Sequence, residues 1–310
     1  MTGLAEYKKE RLDGLAEVAA EGRGTSLLVD ALRRLSRNPV AIIGAVIILL
    51  FVLLALLAPL IAPNDPTRQF DVPELRADHI PDSVPGFVLG VDQLGRDFFS
   101  RLLYGAQQTL IVGVLATLSG LVVGAVIGGL AGAFGGWVDA VLMRLVDIML
   151  ALPSLLLAIS LAALAERPSQ WTVITAVAVV SVPVFARLLR GAMLAQRESD
   201  HVLAARALGV KQHVIVLRHM LPNSLSPVLV QGTLTLATAI IDAAALSFLG
   251  LGDQTIGRAE WGLMLAQSQR YLEIRPELAM YPAFAIIIVA LGFTLLGEAM
   301  REALDPKNRR

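Results

Sequence analysis

Few side chains in this 310-residue sequence have the chemistry needed to make or break covalent bonds. The sequence contains no cysteine, which excludes a thiolate nucleophile, a cysteine metal site and a disulfide framework. Its four histidines follow neither HExxH nor a similar metal-binding spacing; they are His79, His201, His213 and His219. Because no phosphate-binding loop of the form GxxxxGK(S/T) occurs, we do not expect this chain to hydrolyse ATP. The sequence therefore predicts no catalytic residues, no metal site and no cofactor in this chain.

One acidic residue, Asp242, lies inside a long apolar stretch. A carboxylate at the middle of a bilayer costs about 2.5–3.5 kcal/mol on insertion scales, so Asp242 should face protein or water. We favour a structural anchor that hydrogen-bonds a neighbouring helix, and the alternative is direct contact with a substrate. A proton-coupled transporter could use Asp242 as its coupling acid, but the sequence has no inverted repeat. An intramembrane hydrolase is discounted, because all four histidines lie outside the apolar segments.

The composition indicates which elements must position these residues. Hydrophobic residues make up 55% of the chain and its mean hydropathy is +0.67, which is too apolar for an ordinary soluble domain. The net charge is zero, so nothing favours a nucleic-acid partner. We predict an all-α integral membrane protein, with six transmembrane helices of about 20 residues each. The expected spans are about 40–62, 107–133, 144–165, 169–186, 223–246 and 278–297.

The residues before the first span divide into two segments. Residues 1–24 are polar and lack the apolar core of a secretory signal peptide, which indicates a cytoplasmic tail. Residues 25–38 have one apolar face and predict an amphipathic helix in the membrane interface. A simple extension of the first span is an equal alternative. The six-span domain then covers 39–310.

Three features inside the spans predict helix contacts. Five glycines recur at every fourth position and line one helix face, where small residues let backbones approach; they are Gly120, Gly124, Gly128, Gly132 and Gly136. A packing seam is the favoured interpretation of this stripe over a pore wall. Arg144 and Asp147 are spaced to pair on one helix face. Pro153 is expected to kink the third span.

The charged segment 187–222 interrupts the apolar second half and contains six Lys or Arg residues. Ser199 and Asp200 can cap a short helix over 201–208, and Gly209 can end it in the left-handed conformation. A second helix would bury an apolar stripe formed by Val210, Val214, Leu217 and Leu221. Pro222 marks the turn into the next span. Two short helices joined by glycine at a membrane surface indicate a docking device rather than a passive linker.

The expected outer loops cover 63–101 and 247–277. In the first of them Arg96 lies between Asp92 and Asp97, which predicts an internal ion pair, and Gly95 suits a tight turn. Orientation follows from the distribution of Lys and Arg, which concentrate in cytoplasmic segments. With both termini in the cytoplasm, most of the 26 Lys and Arg residues fall on that side. The segment 187–222 would then be a cytoplasmic loop.

These segments resemble the permeases of ATP-binding-cassette importers. Ala204-Ala205, Gly209 and Leu221-Pro222 have the spacing of the family's Glu-Ala-Ala, Gly, Leu-Pro loop, although Leu203 replaces its Glu and His219 an apolar residue. Residues 89–105 resemble the LGTDxxGRDxxSRxxYG pattern of the dipeptide, oligopeptide and nickel subgroup, with Val91 replacing Thr. Residues 246–252 resemble its LSFLGLG segment, and 297–306 its GxxxRxxLDP ending. The resemblance covers about 26–308 and is greatest to C-type dipeptide permeases.

The resemblance implies a type I importer permease fold and an assembly. A second, related permease would complete the pathway, two cytoplasmic ATPase subunits carrying ATP and Mg²⁺ would dock on the coupling loop, and an extracytoplasmic binding protein would deliver substrate. Dipeptides or short oligopeptides are the expected substrates; nickel, a metal chelate or a glutathione-like molecule is the alternative. The outer-loop residues expected to contact the binding protein are Asp92, Gly95, Arg96 and Asp97. Those expected to couple to the ATPase are Asp200, Val202, Ala204, Ala205, Arg206, Gly209, Lys211, Leu221 and Pro222.

Overall fold

The computed structural model describes residues 33–76, 79–81, 83–255 and 257–304, and within them every regular element is a helix. The tail expected at 1–24, most of the helix expected at 25–38 and the end of the chain from 305 lie outside the described residues. The helices are α1 (Pro39–Ile61), α2 (Phe98–Phe134), α3 (Gly136–Ala151), α4 (Ser154–Ala163), α5 (Gln170–Arg197), α6 (Asp200–Ala207), α7 (Gln212–Phe248), α8 (Trp261–Ser268) and α9 (Glu277–Leu304).

Five helices of the described chain are long and apolar enough to cross a membrane, namely α1, α2, α5, α7 and α9. The third expected span, 144–165, is not one helix with a kink. It is divided into α3 and α4, which are bent by 94° but together are long and apolar enough to form a broken sixth span. Pro153 explains the break, because a proline pushes the residue before it out of the helical region. Leu152 accordingly has extended backbone angles, φ −89° and ψ 139°.

Several helices extend beyond the spans predicted from hydropathy alone. α2 begins nine residues before 107, because the Asp97 carboxylate caps it by accepting a hydrogen bond from the Phe99 amide. α5 continues to Arg197, so Arg187 and Arg190 belong to this helix and not to a loop. The connection between α5 and α7 is therefore much shorter than 187–222.

Two ion pairs join α3 to α5. Arg190 donates two hydrogen bonds to Asp139, of 2.6 and 2.9 Å, and Arg187 pairs with Asp147. The pair expected between Arg144 and Asp147 on one helix face is wrong, because the Asp147 carboxylate faces α5 instead. Both aspartates thus hold neighbouring helices together near one end of the bundle.

The glycine stripe of α2 packs directly against α5. A Cβ at Gly124 would lie 2.6 Å from the Val182 carbonyl oxygen, and one at Gly128 would lie 2.2 Å from that of Ala186. Gly120 and Gly132 make equally close approaches to the same helix. The predicted packing seam is therefore confirmed at four positions. It fails at Gly136, which follows the end of α2 and has no atom within 4 Å of an added Cβ.

α7 contains a wider π-helical segment, Ile215–Met220, which joins the expected second loop helix to the following span. Pro222 lies inside this continuous helix, so it does not mark a turn. A proline lacks an N–H and clashes with the preceding helical turn, and π segments are common where the helical hydrogen-bond ladder is interrupted. The extra residue also changes which side chains are buried. Ile215 and Met220 are fully buried, whereas Leu217 of the expected apolar stripe is 61% exposed.

Candidate functional site

The segment between α5 and α7 forms a compact helix with a defined end. Gly209 has φ +75°, its N–H donates to the Arg206 carbonyl, and the Val210 N–H donates to the Ala205 carbonyl. This is the Schellman arrangement, in which a left-handed residue lets the last carbonyls of a helix be satisfied. The predicted role of Gly209 as a helix terminator is confirmed. Ser199 occupies the N-cap position, but its hydroxyl donates to the Gln196 carbonyl instead of capping α6.

One face of α6 packs into the chain's own core. Val202 is fully buried and Ala205 is 8% exposed, and both belong to a cluster that joins α5, α6 and α7. Their partners in this cluster are Phe185, Leu189, Met193, Ile215, Met220 and Val228. Val202 and Ala205 were expected to couple to the ATPase, but they anchor α6 to this chain and are not exposed to another subunit.

The opposite face of α6 is open to solvent. Leu208 is 84% exposed and Leu203 is 43% exposed, and Ala204, Arg206 and Ala207 are exposed beside them. The structure thus places apolar and small side chains on an outward surface next to one cation. Of the other residues predicted for this loop, Asp200, Gly209, Lys211 and Pro222 are exposed, and Leu221 is half-buried.

The first outer loop is organised around a buried carboxylate. Asp92 forms a 2.7 Å ion pair with Arg96 and a 3.2 Å ion pair with Arg101, and all three side chains are at most 3% exposed. Its second oxygen accepts hydrogen bonds from the backbone N–H groups of Leu94 and Arg96. The ion pair expected between Asp92 and Arg96 is therefore present. The role of Arg101 was not predicted, although the expected outer loop 63–101 includes it.

Asp97 does not join this ion pair; its carboxylate caps α2 and accepts a hydrogen bond of 2.6 Å from Ser100. Gly95 has φ +72° and donates from its N–H to the Asp92 carbonyl. A Cβ there would lie 2.5 Å from the Phe70 carbonyl oxygen, so glycine is required on two grounds. Asp92, Gly95, Arg96 and Asp97 are all buried, which gives this segment an internal structural role.

The sequence did not predict α8, because 247–277 was expected to be a loop. The Trp261 indole N–H donates to the Leu102 carbonyl at 3.0 Å, and the ring packs on Gly105 and edge-on against Phe51. Gln267 accepts hydrogen bonds from both Arg96 and Arg101. The signal that could have found α8 is the run of six apolar residues from Trp261 to Ala266.

Glu260, at the start of α8, is a titratable group in a protected position. Burial, with a smaller contribution from nearby Asp253, raises the pKa of Glu260 to about 7, although a hydrogen bond from the Ser247 hydroxyl and the charge of Arg258 act in the opposite direction. A carboxyl group titrating near neutrality makes the outer loop sensitive to pH in the physiological range.

We expect the second outer loop, which contains Glu260, to lose stability as the pH rises from about 4.5 to about 7, with little change above that range. At low pH the Glu260 carboxyl is protonated in both the folded and the unfolded chain. Between the two pKa values only the unfolded chain ionises, which lowers the free energy of unfolding by at most about 3 kcal/mol. Glu260→Gln should flatten this pH profile, because glutamine does not titrate. Its amide oxygen can still accept the hydrogen bond from Ser247, so the local structure should be kept. Thermal unfolding between pH 4.5 and 8 would measure this, with exposed Glu273→Gln as the control. An unchanged profile in Glu260→Gln would assign the pH dependence to other groups.

Asp242 lines a cavity of about 360 Å³ between α7, α5 and the break that separates α3 from α4. Within the described chain its carboxylate forms neither a hydrogen bond nor an ion pair, so the anchor interpretation favoured from the sequence is not supported. Gln231, Thr235 and Thr238 line the same cavity from α7. In the described residues no group of three or more His, Cys, Asp or Glu side chains is placed to hold a metal ion.

Comparison with known proteins matches two family models to this chain. Residues 93–310 match the inner membrane component of binding-protein-dependent transport systems, and residues 26–78 match the N-terminal transmembrane domain of oligopeptide transport permease C. The dipeptide transport system permease protein DppC of Alkalihalophilus pseudofirmus is 42% identical over 90% of this chain and 89% of its own. The glutathione transport system permease protein GsiD of Escherichia coli is 42% identical over 89% of both chains.

A solved structure of the MetNI methionine ABC transporter, in an inward facing conformation, shares the fold. Its TM-score is 0.56 at 20% sequence identity, and the match covers 67% of this chain and 97% of that one. The helical bundle, its apolar surfaces and these matches define a membrane-embedded transport subunit with the permease fold of ABC importers. The chain belongs to the family of inner membrane components of binding-protein-dependent transport systems.

Proposed function

We propose that this chain is a transmembrane subunit of an ATP-driven importer of dipeptides or short oligopeptides. Support comes from the relatives named for dipeptide transport, which match over nearly the whole of both chains. A probable D,D-dipeptide permease of Escherichia coli is also 39% identical over 88% of this chain. Glutathione, itself a short peptide, is the second candidate, because the GsiD relatives are equally similar. The alternatives of nickel, a metal chelate or a proton-coupled mechanism have less support.

The observation that supports a coupling role is that α6 has one face packed in this chain and an opposite face exposed. Val202 and Ala205 fix the helix to α5 and α7, while Leu203 and Leu208 face outward. A rigid helix with an exposed apolar face can bind a groove in another protein, and it passes any movement of that protein to the helices beneath it. We assign this face to a cytoplasmic ATPase subunit, which would supply ATP and Mg²⁺.

The complete assembly would contain two ATPase subunits, a second homologous permease and an extracytoplasmic binding protein. In it, α6 and both termini lie in the cytoplasm, and α8 and the loop around Asp92 lie outside. The ion pairs Arg187–Asp147 and Arg190–Asp139 then fall on the cytoplasmic side. This chain carries out no bond chemistry, and ATP hydrolysis takes place in the partner subunits.

Leu208→Glu should prevent stable association with the ATPase subunit while leaving the permease folded. The side chain is 84% exposed, so the change costs little in the free chain, but it buries a charge wherever Leu208 docks. Co-purification of the ATPase subunits measures the effect, and we expect a reduction of at least about tenfold, which corresponds to about 1.4 kcal/mol. Leu217→Glu, exposed on α7 instead, is the matched control. Normal co-purification of Leu208→Glu would remove α6 as the docking element.

Gly209→Val should abolish most substrate-stimulated ATP hydrolysis without preventing membrane insertion. The left-handed conformation costs about 1–2 kcal/mol for a residue with a Cβ, and a β-branched residue tolerates it least. Gly209→Asn is the control, because asparagine adopts this conformation more readily. No atom lies within 4 Å of an added Cβ, so the two variants differ in backbone strain and not in steric overlap. Full uptake by the valine variant would contradict a requirement for this helix end.

The substrate is tested by reconstituting the complete assembly in proteoliposomes. We expect ATP-dependent uptake of a labelled dipeptide when the binding protein is present on the outer side. Glutathione, supplied to the same vesicles, tests the second candidate directly. Vesicles that accumulate glutathione but no dipeptide would replace the first proposal with the second, and accumulation of neither would overturn the peptide assignment.

A further inference from the structure

We propose that the cavity around Asp242 binds the protonated amino group of the transported molecule, with Asp242 as its counter-ion. This inference rests on the proposed function, since it names the part of a peptide that the pathway recognises. Gln231, Thr235, Thr238 and Asp242 follow each other at spacings of four, three and four residues, which places them on one face of α7. All four line the cavity of about 360 Å³.

Asp242 has the properties of a ligand group rather than a structural one. It is half-buried inside the span, and within the described chain no other side chain or backbone group bonds to it. A carboxylate in a bilayer is retained where it meets a partner or water, and here the structure offers a cavity in place of a partner. Asp242 is also the one charged residue among those that line this cavity.

The neighbouring polar groups share one chemical property, which is spare acceptor capacity. The Thr238 hydroxyl donates its proton to the Thr235 carbonyl at 2.9 Å, and the Ser181 hydroxyl donates to the Ala178 carbonyl at 2.8 Å. The Gln231 side-chain amide donates to Thr235 Oγ1 at 3.3 Å, which leaves its carbonyl oxygen available. The Thr238 and Ser181 hydroxyls have donated their protons and can only accept further hydrogen bonds, whereas Gln231 offers its oxygen and keeps one N–H.

An ammonium group fits this environment because it carries one positive charge and several N–H donors and accepts nothing. Apart from Ser154, the rest of the lining is apolar and suits the body of a small side chain; Met149, Leu157, Val177 and Val180 are among the contributing residues. Dipeptides and glutathione both carry a free α-amino group, so the inference applies to either substrate.

A second cavity of about 620 Å³ adjoins the first and shares Leu150, Val184 and Gln231 with it. It extends to Arg187, near the end of α5 that contacts α6. The two cavities together follow one side of α5 and α7 from Asp242 toward the proposed cytoplasmic surface. The residues shared by the two cavities place the second one directly beside the first, on the side of Asp242 toward Arg187.

The charge preference of the cavity can be measured without knowing the substrate. The native chain has no cysteine, so Thr238→Cys introduces a single thiol beside Asp242. In the complete assembly, this thiol should react faster with a methanethiosulfonate reagent that carries a positive trimethylammonium group than with one that carries a negative sulfonate group. The measured quantity is the ratio of the two reaction rates, each divided by the rate for a free thiol. Adding Asp242→Asn should lower that ratio at least about tenfold, because a wall charge concentrates counter-ions in a cleft. Glu166→Gln, an exposed charge in the turn after α4, should leave it unchanged.

Uptake separates failure of the inference from failure of the proposed function. If the unmodified assembly accumulates a dipeptide, Asp242→Asn should reduce uptake at least about tenfold, while Asp242→Glu retains part of it. Wild-type uptake by Asp242→Asn would overturn the inference and leave the peptide assignment intact. If the unmodified assembly takes up no peptide, the proposed function fails, and the thiol ratio alone decides whether the cavity selects cations. An unchanged thiol ratio in Asp242→Asn would overturn the inference in every case.

Discussion

Asp92→Asn should destabilise the outer loop by about 3–5 kcal/mol, because it removes the carboxylate that compensates two buried guanidinium groups. Arg96 and Arg101 are almost completely inaccessible, and Asp92 lies 2.7 and 3.2 Å from them. Asparagine has nearly the same shape and retains one acceptor oxygen, so the loss reflects charge rather than packing. Thermal unfolding of the purified chain in detergent measures the effect, with limited proteolysis of the loop as a second probe.

Asp71→Asn, at an exposed position of the same loop, is the matched control and should unfold like the unmodified protein. Asp92→Asn also tests the topology. We expect Asp92→Asn to weaken transport while the ATPase subunits still co-purify, since the proposed orientation places the loop on the opposite side of the membrane from α6. Loss of ATPase binding with normal loop stability would instead indicate that the proposed orientation is inverted.

Gly128→Ala should force α2 and α5 apart and strongly reduce the yield of folded protein. The added Cβ would lie 2.2 Å from the Ala186 carbonyl oxygen and 2.9 Å from the Ala186 carbonyl carbon. Both contacts are with backbone, which cannot turn aside as a flexible side chain can. Overpacking of this kind typically costs about 1–3 kcal/mol, and a contact this short places Gly128 at the upper end or beyond.

The neighbouring glycine provides the control for this experiment. A Cβ at Gly129 would meet only Leu189 Cδ2, at 3.9 Å, so Gly129→Ala should leave the melting temperature nearly unchanged. Both substitutions add one methyl group to the same helical turn and raise helix propensity equally. Their difference therefore reports the helix contact alone. Similar melting temperatures for the two variants would show that the seam can relax.

The sequence predicted those features that depend on local backbone chemistry or on simple periodicity. The four-residue glycine repeat correctly indicated a close helix contact, because only a missing side chain allows backbones to approach. Gly209 was correctly placed at a helix end, and Asp92 and Arg96 were correctly paired. In each case the residues that interact are near one another in sequence or repeat along one helix face.

The features that were missed depend on the packing of distant segments. Hydropathy locates the apolar part of a helix but not its charged ends, so Arg187 and Arg190 were assigned to a loop although α5 contains both. Pro153 indicated an irregularity, but a proline fixes where a helix breaks and not by how much it bends. The orientation of α6 could not be derived, because an Ala-rich helix has no strong apolar stripe to decide which side is buried.

The joint formed by Val202 and Ala205 has a mechanical consequence. Because these two side chains pack against both α5 and α7, we expect the three helices to move as one unit, so that a force on Leu208 would turn α5 and α7 together. We expect the chain to bend most easily at Leu152 and Pro153, where no helical hydrogen bond joins α3 to α4 across the 94° bend. We therefore expect rotation of this unit to change the bend between α3 and α4, which would widen or narrow the cavity facing Asp242.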